Sequence, residues 1–411
     1  MFEVERGQLD LSDMEEPRPI NQMGVEVGTF EELQRVIDEA VPDTALIITI
    51  TESFAFNDVI FIRGGLDITL QSEGDYTLTQ RNGRHFIVQS NSALTLRDGI
   101  TLDGASQAGG IEVIRSMFTM EGGHITNNKS ELGGGIYSMS AIINITGGSI
   151  EGNSADFGGG LCNAFGETNI TGGFIAHNEA DILGGGIFVN IGTLDISNAT
   201  IAYNQGSVFG GGLMMIEGTA NIGMNSLIEY NEAENGGGVY LAGVTTNIDS
   251  CRIDSNSARN GGGMYIHSGI TNVVNTAYII NNSADFGGGI FLADGAIANM
   301  INRVTASNRA TIAGGGVYIY HARLTLEVGD MLLNNAKAGG GIYINNGDMV
   351  MEGGSLHLNQ ADQGGGVVVG NLATFTLRSG GILNNFADID RDVRVYPTGT
   401  FNHEGGVVGG W

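Results

Sequence analysis

From about residue 109 onward short apolar runs recur with a fixed period, and that period decides the fold class. An apolar residue follows each of ten Gly-Gly-Gly triplets: Ile136, Leu161, Ile187, Leu213, Val239, Met264, Ile290, Val317, Ile342 and Val367. A second apolar column runs Ile125, Ile150, Ile175, Ile201, Ile228, Ile253, Ile279, Met331, Leu356 and Ile382, with Thr305 as its one polar member. Three residues after each member of the second column stands an asparagine: Asn128, Asn153, Asn178, Asn204, Asn231, Asn256, Asn282, Asn308, Asn334, Asn359 and Asn385. The triplets begin at Gly133, Gly158, Gly184, Gly210, Gly236, Gly261, Gly287, Gly314, Gly339 and Gly364, in steps of 25 to 27 residues. No piece of a repeat has the length or the 3.6-residue period of a helix. Each repeat breaks instead into strand-like pieces separated by Gly or Asn.

A unit of this size cannot bury its own apolar face and must stack on its neighbours. The pattern therefore predicts an all-β protein, a right-handed parallel β-helix of about a dozen coils. Each coil holds about three short strands and rises about 4.8 Å on the last. The asparagines are expected at a bend, their amides bonding from coil to coil, in a residue type that tolerates left-handed backbone. The triplet glycines are expected to supply positive φ at another corner.

The beginning of the chain has a different period. Phe30, Leu33, Val36, Ile37 and Ala40 share one helical face, and Thr29 with Glu32 forms a capping box. A short N-terminal helix, limited by Pro42, is thus expected to cap the core. Strand-like runs at 45–50, 59–62, 66–70, 85–88 and 93–96 read as first coils in a less regular register. The division is a poorly ordered acidic leader over 1–28, the helix and irregular coils over 29–108, and regular repeats over 109–411.

Composition narrows the functional classes. With 68 glycines but only 4 prolines in 411 residues, and 42% hydrophobic content, the chain is a packed array rather than a linker. A formal charge of −27 opposes nucleic acid and anionic lipid as partners. No apolar run is long enough to span a membrane. The first 28 residues carry seven acidic side chains and two arginines, unlike a signal peptide. Cys162 and Cys251 are too few for a disulfide framework and stand three coils apart, so no bridge is expected.

The [Ile/Leu]-x-x-Asn…Gly-Gly-Gly-[Ile/Leu/Val]-Tyr pattern over about 109–410 resembles the paired motifs of chlamydial polymorphic membrane proteins. It is still more similar to the repeats of large surface proteins of Gram-positive gut bacteria. The helix at 29–41 also resembles the N-terminal entry of such proteins. That resemblance implies a pectate-lyase-like β-helix displayed on a bacterial cell surface, usually for adhesion. The chain differs in having no visible sorting signal or autotransporter barrel, and Ile where the chlamydial motif prefers Phe.

Three constellations are candidates for chemistry. Four residues past each triplet's first glycine lies a column with seven aromatics: Tyr137, Phe188, Tyr240, Tyr265, Phe291, Tyr318 and Tyr343. Strand alternation turns it outward, as a stacking platform for sugar rings or as stabilising aromatics beneath a loop. Carboxylates three residues past the ladder asparagine, notably Glu131, Asp156 and Asp181, are weak calcium candidates; no other cofactor is expected. Asp249, Asp254, Arg252 and Arg259 crowd one region, as a polysaccharide lyase or hydrolase would need, but point to no shared pocket. Histidines 85, 124, 177, 267, 321, 357 and 403 share no metal-ligand spacing. Aligning the final glycines with Gly122-Gly123 puts Trp411 at a ladder position, where it closes the stack or marks a cut in a longer chain. The expected function is non-enzymatic adhesion to a glycan or a neighbouring cell-surface protein, outside the cell, as a monomer or part of a longer chain. The alternatives are a polysaccharide-cleaving enzyme and a rigid stalk.

Overall fold

The structure, a computed structural model, describes residues 23–409. It is a parallel β-solenoid of about 15 turns with a single helix among the described residues. Residues 1–22 of the expected leader, and Trp411, lie outside the described residues. Of the stretch expected as a leader, Met23–Val27 forms a strand, β1, that pairs in parallel with β2 (Ala45–Ile50).

Between them lies α1 (Phe30–Asp38). Thr29 Oγ1 accepts from the Glu32 backbone N–H, and the Glu32 carboxylate accepts from the Thr29 N–H, so the capping box forms as expected. Phe30, Leu33 and Ile37 are buried in the same apolar cluster as Ile48, Ile50 and Phe56, and the Phe30 and Phe56 rings lie 5.3 Å apart.

One regular coil shows how the repeat folds: β3 (Ile136–Met139), β4 (Ile142–Ile145), β5 (Ser149–Glu151) and β6 (Ser154–Phe157). The first three pair with the next coil at an offset of one repeat, as in Ile136↔Leu161, Ile143↔Thr168 and Ile150↔Ile175. They belong to one 40-stranded sheet that wraps around the solenoid. The fourth is a correction to the expected three strands per coil. Strands like β6, between ladder asparagine and triplet, build a separate 7-stranded sheet, extended by isolated bridges such as Asn335↔Gln360.

Both apolar columns point inward. Every member of the post-triplet column and of the isoleucine column is at most 1% exposed, Thr305 included. Each fully buried aliphatic side chain contributes roughly 1.5–3 kcal/mol.

The corners explain the other columns. The left-handed residue is not the ladder asparagine but the one before it: Asn127, Gly152, His177, Tyr203, Tyr230, Ser255 and their successors all have φ of 53–65°. The asparagine itself is buried. Asn231 is typical: its backbone N–H and Nδ2 both donate to Asn256 Oδ1 at 2.9 and 3.0 Å, and Nδ2 also donates to the Ile201 carbonyl at 2.9 Å. The ladder runs from Asn128 to Asn385 and ends on Asp392, whose Oδ1 accepts from Asn385 Nδ2 at 2.8 Å. Of each triplet only the first glycine is left-handed. The other two are required by close approach: a Cβ on Gly211 would lie 2.4 Å from the Glu232 carbonyl oxygen, and one on Gly212 2.7 Å from that of Gly238.

Candidate interaction surfaces

The aromatic column does turn away from the main core, but it is not an open platform. Phe188, Tyr240, Phe291 and Tyr318 are 6–9% exposed, and Tyr137, Tyr265 and Tyr343 are half-buried. The left-handed glycine folds the chain back, so Phe157, Leu183, Phe209 and Phe286, each just before a triplet, pack over the column as a second apolar core. The Phe209 and Tyr240 rings lie 4.7 Å apart, Phe286 and Tyr318 5.2 Å. Within the column, Tyr240–Tyr265, Tyr265–Phe291, Phe291–Tyr318 and Tyr318–Tyr343 stack at 4.8–5.4 Å. Rings stacked along the axis spend their faces on one another, and those faces are what a sugar would need. Burial raises the Tyr240 hydroxyl above its ordinary range and pushes those of Tyr265 and Tyr343 up to about 12.

Arginines lie at both ends of this second core. Arg84 is buried, places its guanidinium 5.8 Å from the Tyr137 ring and donates to the carbonyls of Leu132 and Gly133. Its Nε lies 3.3 Å from Glu112. Arg394 stands in register with Val368 and packs over the Tyr396 ring.

The other sequence candidates stay dispersed. Glu131 and Asp181 are exposed and Asp156 half-buried. Among the described residues no group of three or more His, Cys, Asp or Glu could hold a metal ion. Arg252 is paired with Asp254, whose other oxygen accepts from Ser255 Oγ and Asn281 Nδ2. Arg259 pairs with Glu234, and Asp249 accepts from Ser250 Oγ and Asn275 Nδ2. Asp249 lines a groove that Asp254, Arg252 and Arg259 do not. Cys162 and Cys251 are free and buried, and burial pushes both thiols up to about 12. The histidines also scatter: His85 is buried between the Leu78 and Gly109 carbonyls, His124 bonds Ser149, and His267 lies 3.5 Å from Asp294.

Two surfaces escaped the sequence reading. The first is the outer face of the strands equivalent to β4. Register carries a single polar column through Thr69, Thr95, Thr119, Asn144, Asn169, Asp195, Asn221, Asn247, Asn272, Asn299 and Thr325. Asn299, Asn272, Asn247 and Asn221 donate in turn to the preceding coil, ending on Asp195 Oδ1 at 2.6 Å. Each of these asparagines keeps a second amide proton and a second lone pair free for a ligand. Exposed Thr193, Thr219 and Thr245 form a column beside it. On its other side lies a groove of about 490 Å³ lined by Asp195, Ser197, Asn221, Met224, Asn247 and Asp249, opened where Gly223 lacks a side chain. A period-two pattern such as Thr-x-Asn at 219–221 and 245–247 was the available signal.

The second surface is the corner before the ladder. His177, Tyr203 and Tyr230 stack at 5.1 and 5.0 Å with their planes within 6° of parallel. Tyr203 and Tyr230 are 47% and 49% exposed. Each is held in left-handed backbone, a strain of about 1–3 kcal/mol for a bulky residue. Comparison with family models, with curated proteins and with solved structures found no match for the chain.

Proposed function

We propose that this chain is a non-enzymatic adhesion module of the cell exterior that holds a glycan along the outer Asn/Thr face. The observation that carries this reading is the polar column ending on Asp195 and its flanking groove. It offers free amide donors and acceptors at about 4.8 Å intervals, suited to a hydroxyl-rich polymer lying along the axis. The groove falls within the volume range of small-ligand sites. The resemblance of the repeats to those of bacterial surface proteins supports the same reading. The acid–base candidates Asp249, Asp254, Arg252 and Arg259 are engaged in separate local contacts, which argues for binding rather than cleavage.

A panel of neutral polysaccharides tests the proposal, with retention on immobilised protein and release of reducing ends measured together, with and without calcium. Retention without cleavage is expected for at least one member, falling about tenfold or more in a Thr219→Ala/Asn221→Ala/Asn247→Ala variant, equivalent to the loss of one or two net hydrogen bonds. New reducing ends would overturn the non-enzymatic reading. No retention, or retention unchanged in the variant, would leave the rigid stalk, which the sealed aromatic column favours.

A further inference from the structure

The corner at His177, Tyr203 and Tyr230 is not explained by packing. Elsewhere in this column the left-handed position holds Asn127, Gly152, Ser255, Asn281, Ser307 or Asn384, residues small or suited to that backbone, and two exposed leucines, Leu333 and Leu358. Over three consecutive coils it holds His177, Tyr203 and Tyr230, whose rings stack in parallel and stand in solvent. The leucines share the backbone but offer no ring, so it is the run of three parallel, solvent-facing rings, and not the strained corner itself, that marks this surface.

Carboxylates flank the rings on both sides. Glu179 and Glu232 sit two residues after His177 and Tyr230, and share a register column through Gln205. Glu229, just before Tyr230, follows Ala176 and Ala202 in the column on the opposite side. None of the ion pairs among the described residues involves Glu179, Glu229 or Glu232. Asp254, next in the Glu229 column, is already matched by Arg252. Burial and the neighbouring Asp254 hold the Glu229 carboxyl above its ordinary range, against a smaller opposing pull from Arg252, a remaining penalty that an arriving cation would relieve. In this column the stack is flanked by small residues, Gly152 one coil before His177 and Ser255 one coil after Tyr230, so its outermost ring faces meet no bulky neighbour from the column. A flat cation can therefore reach them.

We infer that this corner docks a basic segment of a partner protein, with Lys or Arg side chains stacked on the rings and paired with Glu179, Glu229 and Glu232. The rings supply cation–π attraction, the carboxylates supply charge pairing, and the net charge of −27 steers a basic partner toward the chain. This surface is distinct from the glycan face and extends the binding-module reading to a second partner class.

The test uses the full chain with a fluorescein-labelled oligolysine peptide, read by anisotropy near physiological ionic strength. Tyr203→Asn/Tyr230→Asn keeps the net charge and installs the residue this column uses at Asn127, Asn281 and Asn384, so the corner is retained. A Glu229→Gln/Glu232→Gln variant removes the charges, and Glu327→Gln/Asp330→Asn removes equal charge elsewhere. The two corner variants are expected to bind about tenfold more weakly and the distant one to bind as the unmodified chain does. Unchanged binding in the tyrosine variant would overturn the inference and reduce the attraction to general charge. Displacement of the peptide by a neutral oligosaccharide would likewise overturn it, making the corner a sugar site. Peptide binding at the corner with no glycan retained on the Asn/Thr face would sink the glycan reading alone.

Discussion

The ladder asparagine shows what a single residue type contributes when it is repeated in register. An amide both donates and accepts, so Asn231 can receive from Asn204 and pass the bond on to Asn256. Asn231→Ala would leave the Asn204 N–H and amide proton and the Ile201 carbonyl without partners in a buried corner. At about 1–3 kcal/mol per unmet buried group, a loss of about 3–5 kcal/mol is expected, readable as a lower denaturation midpoint. A carboxylate accepts but cannot donate, which suits an end and not an interior position. Asp392 closes the buried ladder and Asp195 the outer one, the two ladders donating in opposite directions along the axis. The buried ladder was legible in the sequence because one residue type fills the whole column. The corner before it was not, because Asn127, His177, Tyr203 and Ser255 share a backbone conformation and no chemistry.

Among the elements, the glycine triplet and the strand before it form one device. The first glycine turns the chain and the second and third let neighbouring backbones meet, so the fourth strand can lie over the aromatic column. Gly211→Ala would drive a Cβ into two carbonyl oxygens, from Glu232 and Gly237. It should lower stability by about 3 kcal/mol or more, whereas Gly24→Ala, with nothing within 4 Å of its Cβ, should leave the melting temperature unchanged. Alternation along Ile136–Met139 correctly placed Tyr137 opposite the core. It could not show that Phe157 would fold back over that outward face, because alternation says which side of a strand a residue occupies and nothing about what covers it. The signal was present in the apolar residue before several triplets, but Asn235, Asn260 and Gln363 interrupt it. Short polar strands such as Ser154–Phe157 carry too few residues to reveal a period.

For the molecule as a whole, the apolar columns in the sequence were enough to give the solenoid and its core, whereas the surfaces depended on contacts between coils. Stability should also respond to pH through the irregular first coils. His85 is fully buried and burial lowers its imidazole to about 4. The unfolded chain takes up this proton below about pH 6.5, and the folded chain resists it until about pH 4. The stability this neutral histidine supports is therefore present above about pH 6.5 and drains away as pH falls toward 4, by about 3 kcal/mol. Denaturation measured across that range should show a shallower pH dependence in His85→Gln by the same amount. The stacking itself has a further consequence. Because the ladder is handed from coil to coil and closed by Asp392, an interior period can be duplicated or dropped without altering either terminal arrangement. The reach of the molecule is then set by copy number, in increments of about 4.8 Å, so that evolution could lengthen this scaffold by a recombination event rather than by redesign.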